Sequence, residues 1–135
     1  MSLFQVFNVS GSAIAAQSQR LNVVASNLAN ADSVAGPDGQ PYKGRQVVFK
    51  SVPSPTDPTS AGVRVDSIVE DTAQARRVYS PGHPQADENG YVTMSNVNVV
   101  DEMVNMISAS RGYQSNIDVM NTAKSMLQQT LQLGN

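Results

Sequence analysis

Cysteine and tryptophan are absent, histidine occurs once and charge is sparse, and each shortage removes a class of chemistry. Without cysteine there is no disulfide, no thiolate metal site and no cysteine nucleophile, a usage that suits an oxidising compartment. The lone His83 lies between Gly82 and Pro84, and one imidazole cannot build a usual zinc site. A serine nucleophile would have only that histidine as its common base, and no GxGxxG, phosphate-loop or GxSxG spacing occurs. Charged residues are 15% of the chain, against a usual share of roughly 25%. Nine basic and eleven acidic residues leave a net charge of -2, which offers nucleic acid or an anionic membrane no attraction. Long apolar runs are also missing. The longest among the first thirty residues is Ala13-Ile14-Ala15-Ala16, short of the roughly 7 to 15 apolar residues of a secretory signal. No later run approaches the roughly 18 of a membrane span. The working chain is expected to begin near Met1.

Two local motifs fall short of a site. Aligning Gly90 of Asp87-Glu88-Asn89-Gly90 with the glycine of a calcium loop puts Gln85 first and Asn96 last, so the bidentate Glu is missing and a turn is expected. Arg76-Arg77 reads as a solvated strand end rather than a phosphate site. The chain is therefore read as no enzyme, with no cofactor, metal, nucleic-acid or small-molecule substrate.

What is present is uncharged polarity. Ser, Thr, Asn and Gln supply 44 of the 135 residues, a surface that can hydrogen-bond a neighbour without desolvating ions. The length suits one domain. All seven prolines and six of the nine glycines lie between residues 36 and 90. Proline is costly inside helices, so the chain divides into an N-terminal helix (1–31), a loop and small β region (32–96) and a C-terminal helix (97–135).

In the N-terminal arm Phe7, Ile14, Leu21 and Leu28 recur every seven positions, with Phe4 and Val24 at three-residue offsets. This predicts a helix over 4–29 with one apolar stripe. Its only charge through residue 31 is Arg20, so most of its circumference is expected to be covered. In the C-terminal arm Met103, Met106, Ser110, Tyr113, Ile117, Met120, Lys124, Leu127 and Leu131 follow a 3-4-3-4 spacing, the coiled-coil period. Asn98 is placed as N-cap, Asp101 and Glu102 favour the helix start and Gly134 supplies a stop, giving a helix over 99–133. Alternating valines and turn signals predict strands over 46–52, 63–69, 77–79 and 91–94. The fold class is mainly α with a small β insert: two long terminal helices forming a coiled-coil pair, and a short-stranded β middle of marginal independent stability.

Residues 12–31, SAIAAQSQRLNVVASNLANA, resemble the N-terminal signature of the bacterial flagellar rod and hook (axial) protein family, in a long ungapped match. Asn27, Ala29 and Asn30 carry the family motif. Residues 99–116, VVDEMVNMISASRGYQSN, resemble the family's matching terminal helix, and Gly134 also fits. The usual Thr-x-Gly-Tyr turn is replaced by a longer Pro41-Tyr42 connection, similar to the family's proximal-rod branch. Gly112 departs from the more usual Ser.

The resemblance implies a structural subunit of the proximal rod, exported unfolded through the flagellar type III apparatus without signal cleavage. It would assemble helically across the periplasm as drive shaft and export-channel wall. The partners implied are other rod proteins, the rod-base adaptor FliE and the inner-membrane ring. Inter-helix and subunit packing is assigned to Phe7, Ile14, Leu21, Val24, Leu28, Met103, Met106, Tyr113, Ile117, Met120, Leu127 and Leu131. Ile14, Leu21 and Leu28 are expected to face Met106, Tyr113, Ile117 and Met120. Tyr42 is expected to anchor the 32–45 connection on an adjacent subunit. The competing reading is a two-helix adaptor or export chaperone that forms a finite complex.

Overall fold

The computed structural model describes residues 2–134. Helix α1 spans Leu3–Ala29 and helix α2 spans Val99–Leu133; between them lie β1 (Arg45–Pro53), β2 (Ala61–Glu70), β3 (Arg77–Tyr79) and β4 (Tyr91–Thr93). The protein is mainly helical with a small β insert.

Each helix starts where side-chain oxygens replace missing backbone partners. Ser2 and Gln5 form a reciprocal capping box at α1, starting that helix one residue before the predicted position. Asn98 accepts the amides of Val100 and Asp101 at 3.0 and 3.3 Å, and Asp101 and Glu102 occupy the first turn of α2. A side-chain acceptor at the cap and negative charge near the amino end both favour the helix. The bounds of α2 are those that the sequence predicts.

The helices run antiparallel. Asn27 meets Glu102, Gln17 lies over Gly112, and Leu3 and Val6 share a groove with Ala123 and Met126. On another side of α1 lies the antiparallel β1–β2 hairpin. Its register slips between Val48 and Phe49, leaving Asp66 as the extra residue of a β-bulge. Ser12 fastens the hairpin to the helix: its Oγ donates to the Val9 carbonyl at 2.7 Å and accepts the Val63 amide at 3.1 Å. Gly62 permits that approach, since a Cβ there would lie 2.9 Å from the Ser12 Oγ. Among the named elements α1 alone packs against both α2 and the hairpin.

The β3–β4 hairpin is separate and short. The Asp87 carboxylate accepts the amides of Asn89 and Tyr91, each at 2.9 Å, and pairs with Arg77. Gly90 adopts φ +84, the left-handed region that glycine enters without a Cβ clash. The predicted turn over Asp87-Glu88-Asn89-Gly90 is thus formed. His83 lies in the same loop, its Nδ1 accepting the Gln85 amide at 3.0 Å.

The core is built from small side chains. Among the described residues the buried hydrophobics are five alanines plus Val24 and Val92, and the largest side chains under 2% exposed are Asn27, Ser60 and Ser95.

Candidate functional site

The two helices divide their faces between contacts inside the chain and open surface. On α2 the residues turned to α1 are Glu102, Asn105, Ala109, Gly112 and Ala123, all buried or half-buried, with half-buried Asn116 between them. Their spacing keeps the predicted 3.5-residue period but is shifted by one residue, or roughly 100° around the helix. The expected seam is therefore corrected. Met103, Met106 and Leu131 are exposed, at 49%, 41% and 62%, and do not pack between the helices of one chain. Tyr113, Ile117, Met120 and Leu127 are half-buried at its flank. The physical reason is the opposing surface. Helix α1 presents Ala16, Gln17, Arg20 and Asn27 to α2, and the Arg20 Nη2 donates to Asn105 at 3.2 Å. Small and hydrogen-bonding residues meet their like there. On α1 itself Val24 is buried, Phe7, Ile14, Leu21 and Leu28 are half-buried, and Phe4 is exposed.

The most completely bonded side chain is Asn27, 1% exposed. Its Nδ2 donates to the Arg45 carbonyl at 2.8 Å and to the Glu102 carboxylate at 3.0 Å. Its Oδ1 accepts the Tyr42 hydroxyl and the Arg45 amide, both at 2.9 Å. A primary amide offers two donors and one two-lone-pair acceptor, so its capacity is filled. One residue thereby ties α1 to the 32–44 connection, to β1 and to the start of α2. Tyr42 is engaged within its own chain: its hydroxyl is taken by Asn27, Arg45 lies 6.0 Å from its ring centroid, and the residue is half-buried. Burial pushes its phenol above the ordinary value, with the Arg45 charge acting in the opposite direction.

Around this junction other polar side chains repeat the pattern. Asn30 closes α1 by donating to the Ser26 carbonyl at 2.9 Å and accepting from Ser33 at 3.1 Å, while Ala29 is exposed. Buried Ser95 donates to the Ala31 carbonyl at 2.6 Å. Asn96 accepts the Gly44 amide at 2.7 Å and donates to the carbonyls of Asp71 and Ala73 at 3.0 Å. Irregular backbone is thus held by side-chain amides where ladders are absent. None of Ser12, Ser95, Asn96 or Glu102 is singled out by hydrophobic periodicity, which is blind to hydrogen-bonding positions.

The surface left over is apolar. On α2, Val100, Val104 and Ile107 are 68%, 60% and 52% exposed, and Val119, Met126 and Leu133 are exposed beyond them. Helix α2 has 35 residues and α1 has 27. With Leu3 beside Met126, its last two turns extend past α1.

Comparison with known proteins accounts for this arrangement. Residues 7–37 match the family model described as "Flagella basal body rod protein", and residues 88–133 match "Flagellar basal body rod FlgEFG protein C-terminal". The flagellar basal-body rod protein FlgC of Salmonella typhimurium is 60% identical over 134 residues, covering 99% of both chains. That of Yersinia enterocolitica is 59% identical over the same length, and that of Buchnera aphidicola subsp. Schizaphis graminum is 47% identical over 136 residues. With this identity sustained along the whole length, the chain belongs to the flagellar basal-body rod protein FlgC family.

Proposed function

We propose that this structural rod subunit takes most of its large apolar contacts from neighbouring subunits rather than from its own core. The single observation that carries this is the division on α2. Its intrachain seam is small and polar, while Val100, Met103, Val104, Met106 and Ile107 face outward. A buried Val, Leu, Ile or Met contributes roughly 1.5 to 3 kcal/mol, so this face is suited to binding protein rather than water. Residues assigned to subunit packing then separate into three groups. Met103, Met106 and Leu131 serve other chains, Val24 and the half-buried Phe7, Ile14, Leu21 and Leu28 hold α1 in place, and the half-buried Tyr113, Ile117, Met120 and Leu127 flank the seam.

The site is the basal body. There the chain is read as part of the periplasmic rod, exported without a cleaved signal and forming wall of the export channel. Among the described residues no helix is long and apolar enough to cross a membrane. An all-alanine-and-valine core suits a chain that must pass unfolded and fold on assembly. The neighbours are other rod proteins, with FliE at the base and the inner-membrane ring nearby. A finite adaptor or chaperone complex is not favoured by the kinship with rod subunits. The test is to replace Ile107 by Asp and purify basal bodies. The variant is expected to be exported at the wild-type level and missing from rods. Wild-type incorporation would overturn this use of the α2 face.

A further inference from the structure

Two exposed features of opposite character lie at opposite ends of α1. One is a cleft of about 450 Å³ between the N-terminal half of α1 and the turn end of the β1–β2 hairpin, lined by Val9, Ser12, Val52, Pro53, Val63 and Arg64 among others. Arg64 stands directly opposite Lys50 in the strand register. Like charges facing each other across a sheet destabilise it, and among the described residues neither is in an ion pair. The cleft is therefore apolar within and basic at its edge.

The other feature is the ridge on the first two turns of α2, where Val100 and Val104 are strongly exposed one turn apart and Asp101 lies at the edge of their ridge, three residues before Val104. Asp101 stands apart among the chain's acids. Asp32 and Asp87 are ion-paired, and Asp38, Asp57, Asp71 and Asp118 accept hydrogen bonds from their own loops or helix. Glu102 is bonded to Asn27, and Glu70 faces Arg45 across the hairpin. Of the remainder, Asp66, Glu88 and Asp101, Asp101 alone lies on a helix, beside the exposed Val100 and Val104.

Resting on the rod-subunit reading, we infer that the Val100-Asp101-Val104 ridge of one copy docks in the Val9/Val52/Val63 cleft of a second copy, with Asp101 facing Arg64 and Lys50. Apolar surface meets apolar surface, and a lone carboxylate meets a basic pair that, among the described residues, is in no ion pair. Within one chain the two cannot meet, since Val9 and the Asn27 end of α1 are separated by roughly 27 Å of helix. The contact is heterologous: each copy that docks leaves its own cleft open, so the contact propagates instead of closing on itself.

The absence of native cysteine supplies the experiment. Chains carrying Val52→Cys and Val100→Cys together are assembled in cells, and the basal bodies are purified and oxidised. A disulfide requires Cβ atoms about 3.5 to 4.5 Å apart. Disulfide-linked dimers and higher multiples of this chain are expected from the double variant and not from either single one. In parallel, Arg64→Asp and Asp101→Arg are each expected to lower rod incorporation about tenfold, and the pair together to restore it to within about twofold. Unlinked chain in intact basal bodies, or a double reversal no better than the singles, overturns this docking and leaves the rod reading standing. A wild-type chain missing from basal bodies overturns both.

Discussion

Helix α1 carries one charge and is wrapped by its own chain, whereas α2 carries five charged residues and displays the larger apolar surface. Charge density on its own would rank them the same way, since the charge-poor helix is the covered one. What it misses is where large side chains go. Helix α1 contacts α2, β1 and β2, yet its four buried residues are Ser10, Ala16, Val24 and Asn27. Helix α2 contacts only α1 among the elements and turns small and polar residues to it. The contrast teaches that the intrachain seam positions the helices through small and polar side chains, and that the large apolar side chains of α2 are left open on its surface.

The strongest way to break that contrast is to place a charge on each helix. Val24→Asp buries a carboxylate in a site that is 4% exposed and is expected to destabilise the chain by roughly 3 kcal/mol or more, combining lost apolar burial with charge desolvation. Ile107→Asp, on the open face of α2, is expected to leave the isolated chain within about 0.5 kcal/mol of wild type. Urea unfolding followed by circular dichroism on both variants compares them. Equal losses would mean that the α2 face already packs within the chain.

Second in size is the junction. Asn27→Leu keeps the number and branching of the side-chain heavy atoms but strands the Tyr42 hydroxyl, the Arg45 amide and carbonyl and the Glu102 carboxylate. Buried groups left unpaired cost about 1 to 3 kcal/mol each where water cannot reach them, so a loss of about 3 kcal/mol is expected after relaxation. Amide exchange should show it first at Arg45 and across the connection, with the middle of α2 less affected. A variant whose Arg45 amide stays protected would remove Asn27 from the centre of the fold.

Much of this architecture was legible and one layer was not. The span of α2 follows from Asn98 and Gly134, and the strands from alternating valines around bends rich in proline and glycine. The seam was misphased because heptad reading tracks Met103, Met106 and Ile117, whereas the chain packs through Glu102, Asn105, Ala109 and Gly112. A signal existed in the glycine itself, which marks close approach on a helix. Asn27 appeared only as a motif residue: its partners lie 15, 18 and 75 positions away, a distance that no local pattern reports. The Tyr42 hydroxyl bonds Asn27 of its own chain, a partner the sequence does not indicate, because a loop aromatic does not reveal which polar group will receive its hydroxyl.

A third test moves to the β3–β4 hairpin, which packs on neither helix. The Tyr91 amide above all, with the Asn89 amide and the nearby Arg77, holds the Asp87 carboxyl below the ordinary carboxylate value against the opposing effect of desolvation. A depressed folded value means that the contribution is present above the unfolded value near pH ~4 and is lost as pH falls through the folded one. Amide protection at Asn89 and Tyr91 should therefore drop on acidification below about pH 4, and Asp87→Asn should flatten that dependence. A drop of the same size across α1 would show that the hairpin and the helices unfold together.

The smallest expected effect has the opposite sign and lies on the seam itself. At Gly112 a Cβ would come within 3.1 Å of the Gln17 Nε2 and 3.2 Å of its Cδ, so the new methyl must displace that amide. Gln17 has little to lose, because its Oε1 is buried without a hydrogen-bond partner and the contacted atoms are at the end of a flexible side chain. Against this stands the cost of glycine inside a helix, about 1 kcal/mol relative to Ala. Gly112→Ala is therefore expected to stabilise the chain by less than about 1 kcal/mol, while Gly62→Ala, which would press a methyl on the Ser12 clasp, destabilises it. If thermal unfolding shows Gly112→Ala to be as harmful as Gly62→Ala, the seam between α1 and α2 is tighter than its polar lining implies. The helix with the open apolar face would then be fixed to its own chain as firmly as the covered one.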